Sequence, residues 1–124
     1  MNVYWLLLFL FLHWVGDFLC QPRWVAENKG KNFWVLLLHT LMYGSVLALG
    51  TIWLVPQSMP IYKDPWAMWL GLNLVLHMMT DGVTSKFTAR YWQEGKTHAF
   101  FSVVGLDQFL HHAALIGTTK MLLG

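Results

Sequence analysis

The chain has 124 residues, of which 56% are hydrophobic, 16% aromatic and only 11% charged, with a formal net charge of +2. Soluble domains carry about a quarter charged residues, so the composition excludes an ordinary soluble domain. The small, dispersed positive charge gives no footing for nucleic-acid binding. What remains is a single integral membrane domain, residues 1–124, with little mass outside the bilayer.

The first apolar run covers about residues 3–21 and ends in "HWVGDFLCQ". It is a poor signal peptide: no basic segment precedes it, His13 and Asp17 interrupt it, and no small-residue cleavage site follows. The lone Cys20 excludes an intramolecular disulfide. A second run spans 33–55, a third roughly 66–84 and a fourth 100–123. Each is near the ~20 residues that cross ~30 Å of hydrocarbon, and the short alternating strands of a barrel are missing. The expected fold is therefore all-α, a four-transmembrane-helix up-down bundle. Several of the eight tryptophans stand near the ends of these runs, as in interfacial aromatic belts.

The connections set an orientation. The first carries Arg23, Lys29 and Lys31 against Glu27, and the third carries Lys86, Arg90 and Lys96 against Glu94. The proline-rich middle connection has Lys63 beside Asp64. An excess of basic residues in the odd loops places them in the cytoplasm and both termini outside. "HWVGD" closes the first span and "HMMTD" the third, each followed by a basic loop and another helix. That is a hint of a duplicated hairpin.

The polar residues of the spans gather at one depth. In an up-down bundle the ends of helices one and three lie level with the starts of helices two and four. His13, Asp17 and Gln21 lie late in the first span and His39 early in the second. Asn73, His77 and Asp81 lie in the third, and Asp107, Gln108 and His111 early in the fourth. His13–Asp17–Gln21, Asn73–His77–Asp81–Ser85 and Asp107–His111 are i, i+4 series, each on one helix face. Ionisable groups inside a membrane cost about 2.5–3.5 kcal/mol each and face a bundle interior or a wet cavity.

A lone intramembrane His is ordinarily a hydrogen-bonded packing residue. Three Asp and four His at matched depth point further, because imidazole and carboxylate are ligands of zinc, manganese and iron. Helical bundles build such sites from side chains on facing helices. The expected metal ligands are His13, Asp17, His39, His77, Asp81, Asp107 and His111. Asp17, Asp81 and Asp107 are the candidate catalytic carboxylates, and Gln21, Asn73, Gln108, Lys29 and Lys86 the supporting polar groups. Three carboxylates suit two divalent cations, and one cation with the remaining carboxylates orienting the histidines is equally permitted. His112 points about 100° from His111 and is the less central of the two. Gly16, Gly44, Gly71 and Gly105 read as packing positions. Lys29, Lys86 and Arg90 read as topology signals or headgroup contacts, and near the site they would also suit a phosphate.

"HWVGDFLCQPRWVAENKGKN", "LLLH", "HMMTDGVTSK" and "LDQFLHH", in that order, resemble a small family of bacterial and phage membrane proteins of unknown function numbered 3307. More distantly the chain is similar to membrane-bound proteins named as metal-dependent hydrolases. The resemblance implies a four-helix protein of the inner membrane whose His and Asp residues share a polar centre. Carried over by position, it highlights His13, Asp17, Gln21, Lys29, His39, His77, Asp81, Lys86, Asp107, Gln108 and His111, and it names no substrate.

The reading that follows is a membrane protein with an intramembrane metal site of one or two divalent ions. It would hydrolyse a lipid-linked, membrane-proximal or phosphate-containing substrate through a metal-activated water. Its partners are the bilayer, that substrate and, in an oligomer, further copies of the chain. Two alternatives stay open at this point: a proton or metal ion transporter using the same groups as a relay, and a non-enzymatic holin-like protein or partner subunit.

Overall fold

The structure, a computed structural model, describes residues 2–55 and 65–123. The middle connection, with Lys63 and Asp64, lies outside the described residues. Among the described residues the chain is helical throughout: α1 (Val3–Trp14), a π-helical turn (Val15–Leu19), α2 (Arg23–Asn28), α3 (Phe33–Leu54), α4 (Pro65–Gln93) and α5 (Thr97–Leu122).

Local chemistry sets most of the boundaries. Asn2 and Asn32 cap α1 and α3, each side chain accepting from the backbone N–H two residues on at 2.9 Å. Pro22, which cannot continue a helix in progress, stands just before α2. The second expected span matches α3 within a residue. The third differs: α4 runs on from 84 to Gln93 through a segment expected to be loop. That segment, "SKFTARYWQ", contains no Pro or Gly and several good helix formers. The helix stops only before Gly95, which takes a φ of 69° that other residues disfavour. Lys96 and Arg90 both bond Glu94 across this turn at 2.8 Å, which holds its carboxyl below the ordinary carboxylate range. The basic first connection likewise contains the short helix α2, unexpected from the sequence.

α5 packs along α4, α3 packs against α4, α1 and the π turn, and α5 touches α1 only lightly. An apolar cluster of Phe9, Leu12, Tyr43, Leu47, Trp69 and Leu115 joins α1, α3, α4 and α5. The polarity is inverted relative to a soluble protein. Trp53, Tyr4, Trp34, Met121 and Phe109 lie exposed, while three Asp and four His are buried. Two helices, α3 and α5, are long and apolar enough to cross a bilayer; Val3–Leu19 is a shorter apolar helix. α4 is diluted by its polar residues.

Candidate metal centre

The π turn is the first device that shapes the site. Cys20 N–H reaches back five residues to the Val15 carbonyl at 2.8 Å, which widens the helix around Asp17. Gly16 lets α3 come close here, since a Cβ on it would stand 3.0 Å from Cδ2 of Tyr43. Asp17 is thereby delivered to His39 across the helix interface, with His39 Nε2 3.0 Å from Asp17 Oδ1.

Four donor atoms then converge. His39 Nε2 lies 3.1 Å from His77 Nε2 and 3.1 Å from Asp81 Oδ2. His77 Nε2 lies 3.5 Å from Asp17 Oδ1 and 3.3 Å from Asp81 Oδ2. All four residues are buried. These five separations average about 3.2 Å, the spacing of ligand atoms that lie about 2.0 Å from a shared tetrahedral ion; the remaining pair, Asp17 and Asp81, closes the set within 4.8 Å. A second grouping lies alongside: Asp17, Asp107 and His111 bring ligand atoms within 4.8 Å of one another. His111 Nε2 is 3.2 Å from Asp107 Oδ1 and 3.0 Å from Asp81 Oδ1. Asp81 thus turns one oxygen to each grouping, and Asp17 belongs to both.

The rings are held firmly. His77 is stacked between Tyr43 and His111, with centroids 3.9 and 4.1 Å away. Nδ1 of His39 and of His77 has no hydrogen-bond partner among the described residues. With the protons on those Nδ1 atoms, both Nε2 lone pairs and two carboxylate oxygens point at one small volume. In that tautomer a bound cation would satisfy all four at once. Charge points the same way: Lys29, 3.2 Å from Asp81 Oδ2, compensates one of the three buried carboxylates. The residues present fit one or two divalent ions.

The structure does not bring every expected residue to the centre. His13 stands outside both groupings, its Nε2 3.6 Å from Asp17 Oδ2. It acts on its neighbours instead: Nε2–H donates to Gln108 Oε1 at 2.9 Å, and the Tyr43 hydroxyl donates to Nδ1 at 2.9 Å. Gln108 in turn donates to Asp17 Oδ2 at 2.8 Å and Asp107 Oδ2 at 3.1 Å. Asn73 lies away from the cluster, bonded to Trp69 O at 2.9 Å and Thr118 Oγ1 at 2.8 Å. Lys86 is exposed and makes no hydrogen bond among the described residues. Gln21 lines the cavity beside the cluster, with a buried and unpartnered Oε1. His112 is only half-buried, edge-on to His13 at 4.8 Å.

Two participants are not apparent from the sequence pattern of charged and imidazole groups. Tyr43 sits four residues after His39 on the same face, a spacing that could have marked it. Thr84, three residues after Asp81, donates to Asp107 Oδ1. Both are ordinary membrane-helix residues by composition, so only their spacing marks them.

Fold and site together define a small all-helical protein with a buried His/Asp centre and helices suited to a bilayer. The chain belongs to the DUF3307 family, described as proteins of unknown function, which matches residues 5–123. No curated protein and no solved structure matches it.

Proposed function

We propose that this is a four-span membrane protein whose His/Asp centre holds divalent cations and hydrolyses an ester at the face of the membrane. α1 with its π turn, α3, the first two thirds of α4, and α5 are the spans, and the basic connections lie in the cytoplasm. The observation that carries the reading is the meeting of His39, His77, Asp17 and Asp81 through four donor atoms, with the five separations above between 3.0 and 3.5 Å. His39 and His77 would ligate through Nε2, Asp17 and Asp81 would serve both groupings, and Asp107 with His111 would complete the second. Zinc, manganese and iron all suit this donor set. Such ions supply the positive charge that acidifies a bound water and polarises an ester.

The chain's own groups account for the rest. Gln108 orients Asp17 and Asp107, and Asp107, at the cavity edge, is placed to accept or return a proton. Transport through the same groups is the weaker reading, because the buried ionisable groups stop at the centre and an apolar cluster around Phe9, Leu47 and Trp69 packs beside it. Elemental analysis of protein purified in mild detergent tests the proposal. One or two equivalents of a transition metal are expected, with the first grouping's equivalent lost in a His39→Ala/His77→Ala double variant that still elutes as a single folded species. A metal-free parent protein refutes it. Single cysteines at Lys31 and Gln93, in a Cys20→Ser background, are expected to label from the same side of the membrane.

A further inference from the structure

A cavity of about 310 Å³ lies directly over the cluster. Asp17, Asp81, Asp107 and Gln108 form its polar part, Lys29 one wall, and Phe18, Phe100 and Phe101 its apolar rim. A second cavity of about 580 Å³ continues from it, sharing Ala26, Thr88, Phe100 and Phe101. The second one adds Arg23, Lys31 and Trp92, residues of the basic connections and of the end of α4.

The position of the first cavity matters more than its volume. It lies between the π turn and α2 on one side and α5 on the other, the seam where the bundle is least tightly joined. Phe18 and Phe101 flank the seam and are 45% and 60% exposed. In a bilayer those rings meet lipid, so the seam opens sideways as well as toward the basic connections. About 310 Å³ is at the low end for a small-ligand site. It admits a polar headgroup and leaves no room for an acyl or prenyl chain beside it.

Charge then selects the headgroup. Three carboxylates repel an anion from an empty centre, whereas two divalent ions reverse the sign. Lys29 is then the one ammonium on the cavity wall, with further N–H donors beyond the one it gives to Asp81. Resting on the metal-hydrolase reading above, we propose that the substrate is a phosphate ester carried on a lipid. Its phosphate sits between Lys29 and the metal-facing carboxylates, and its chain leaves between Phe18 and Phe101 into the leaflet. In the reaction a water oxygen bonds to phosphorus, the P–O bond to the leaving alcohol breaks, and the water's proton passes by way of Asp107 to that alcohol. No oxidant or reductant is involved.

The test uses metal-loaded full-length protein in neutral detergent micelles, with metal content measured on every sample. The probes are phosphatidate (a lipid monoester), phosphatidylglycerol (a lipid diester), diacylglycerol without phosphate, and water-soluble glycerol phosphate. Expected are binding of at least one phospholipid probe at least 10-fold tighter than diacylglycerol or glycerol phosphate, and hydrolysis of that probe. Binding is expected to vanish on removal of the metal. Lys29→Met is expected to weaken it at least 10-fold with metal content unchanged, Lys29→Arg to recover most of it, and Lys120→Met to leave it intact. Equal affinity for glycerol phosphate would assign a water-borne substrate, and equal affinity for diacylglycerol would mean that phosphate is not recognised. Either result overturns the proposal, as does binding without turnover or a Lys29→Met variant that binds normally. Protein that holds metal but shows no preference for a lipid phosphate overturns this inference alone. Protein that holds no metal overturns the hydrolase reading beneath it.

Discussion

Gly30 is where a single methyl group should disturb the metal centre from outside it. This residue follows Lys29 in the turn between α2 and α3, and its neighbours are backbone atoms of α4. A Cβ there would lie 2.6 Å from the Ser85 carbonyl oxygen, 2.8 Å from its carbon and 3.3 Å from Lys86 N. Backbone in mid-helix cannot swing aside, so the turn must retreat by about 0.8 Å to restore ordinary contact. Lys29 rides on that turn, with its ammonium 3.2 Å from Asp81 Oδ2. A retreat of that size carries the pair to about 4 Å, beyond hydrogen-bonding range. Overpacking costs about 1–3 kcal/mol, and the stiffer unfolded chain returns about 0.4–1 kcal/mol. Gly30→Ala should therefore destabilise the protein by roughly 0.5–2 kcal/mol and part Lys29 from Asp81, with metal content unchanged as for Lys29→Met. Gly71→Ala is the matched control: it lies inside α4 with nothing within 4 Å of its would-be Cβ. That change should be neutral or stabilising by up to about 1 kcal/mol. Thermal unfolding in detergent, with and without added divalent metal, measures both. A Gly30→Ala protein as stable as the parent, or a Gly71→Ala protein that is the worse of the two, would refute the reasoning.

Tyr43→Phe keeps the ring stacked on His77 but strips the donor from His13 Nδ1. Metal titration should show affinity lower by about 10-fold, because the loss reaches the carboxylates only through His13 and Gln108. Asn73→Ala should destabilise the fold by about 1 kcal/mol through its lost bonds to Thr118 and Trp69, read as a lower melting temperature, with metal content unchanged; a loss of metal would return Asn73 to the site. His111→Ala removes the only imidazole of the second grouping. Elemental analysis should then find about half the parent's metal, and loss of all of it would show that the two groupings bind as one. Chelation of the parent should lower the melting temperature and metal should restore it, as for any ligand bound only by the native state.

The meeting of these residues was legible because helical spacing and level along an up-down bundle are independent constraints. The i, i+4 stripes gave the faces, and the alternation of helix direction gave the level. Both had to agree before His39, His77, Asp17, Asp81, Asp107 and His111 could converge, and they do converge. Illegible features came from local departures that a regular helix conceals. The spacing from His13 to Asp17 assumes 3.6 residues per turn, whereas the π turn changes the geometry around Asp17 and His13 stands off at 3.6 Å. Asn73 belongs to the same stripe as His77 but lies one turn deeper, and Thr118 takes its amide. Lys86 stands close in sequence to the other basic residues of the third connection. The continuation of α4 to Gln93 places it on the outside of a helix.

The hint of a duplicated hairpin gains meaning at the level of atoms, and so does its failure to be exact. His39 stands 3.0 Å from Asp17, and His111 stands 3.0 Å from Asp81, so each hairpin pairs the histidine of its second helix with the aspartate of its first. The remaining histidines break the correspondence. His77 is clamped between Tyr43 and His111 and turns its Nε2 into the centre, while His13 is diverted to Gln108. One grouping therefore has two imidazoles and two carboxylates, the other one imidazole and two carboxylates; the carboxylates of both line the cavity and the imidazoles of neither do. Four protein donors would fill the positions of a tetrahedral ion, and three would leave a position open for water or substrate. The asymmetry that spoils the repeat would thus suit the two-ion centre proposed above, with one ion held by four donors and the other left a position for what it acts on.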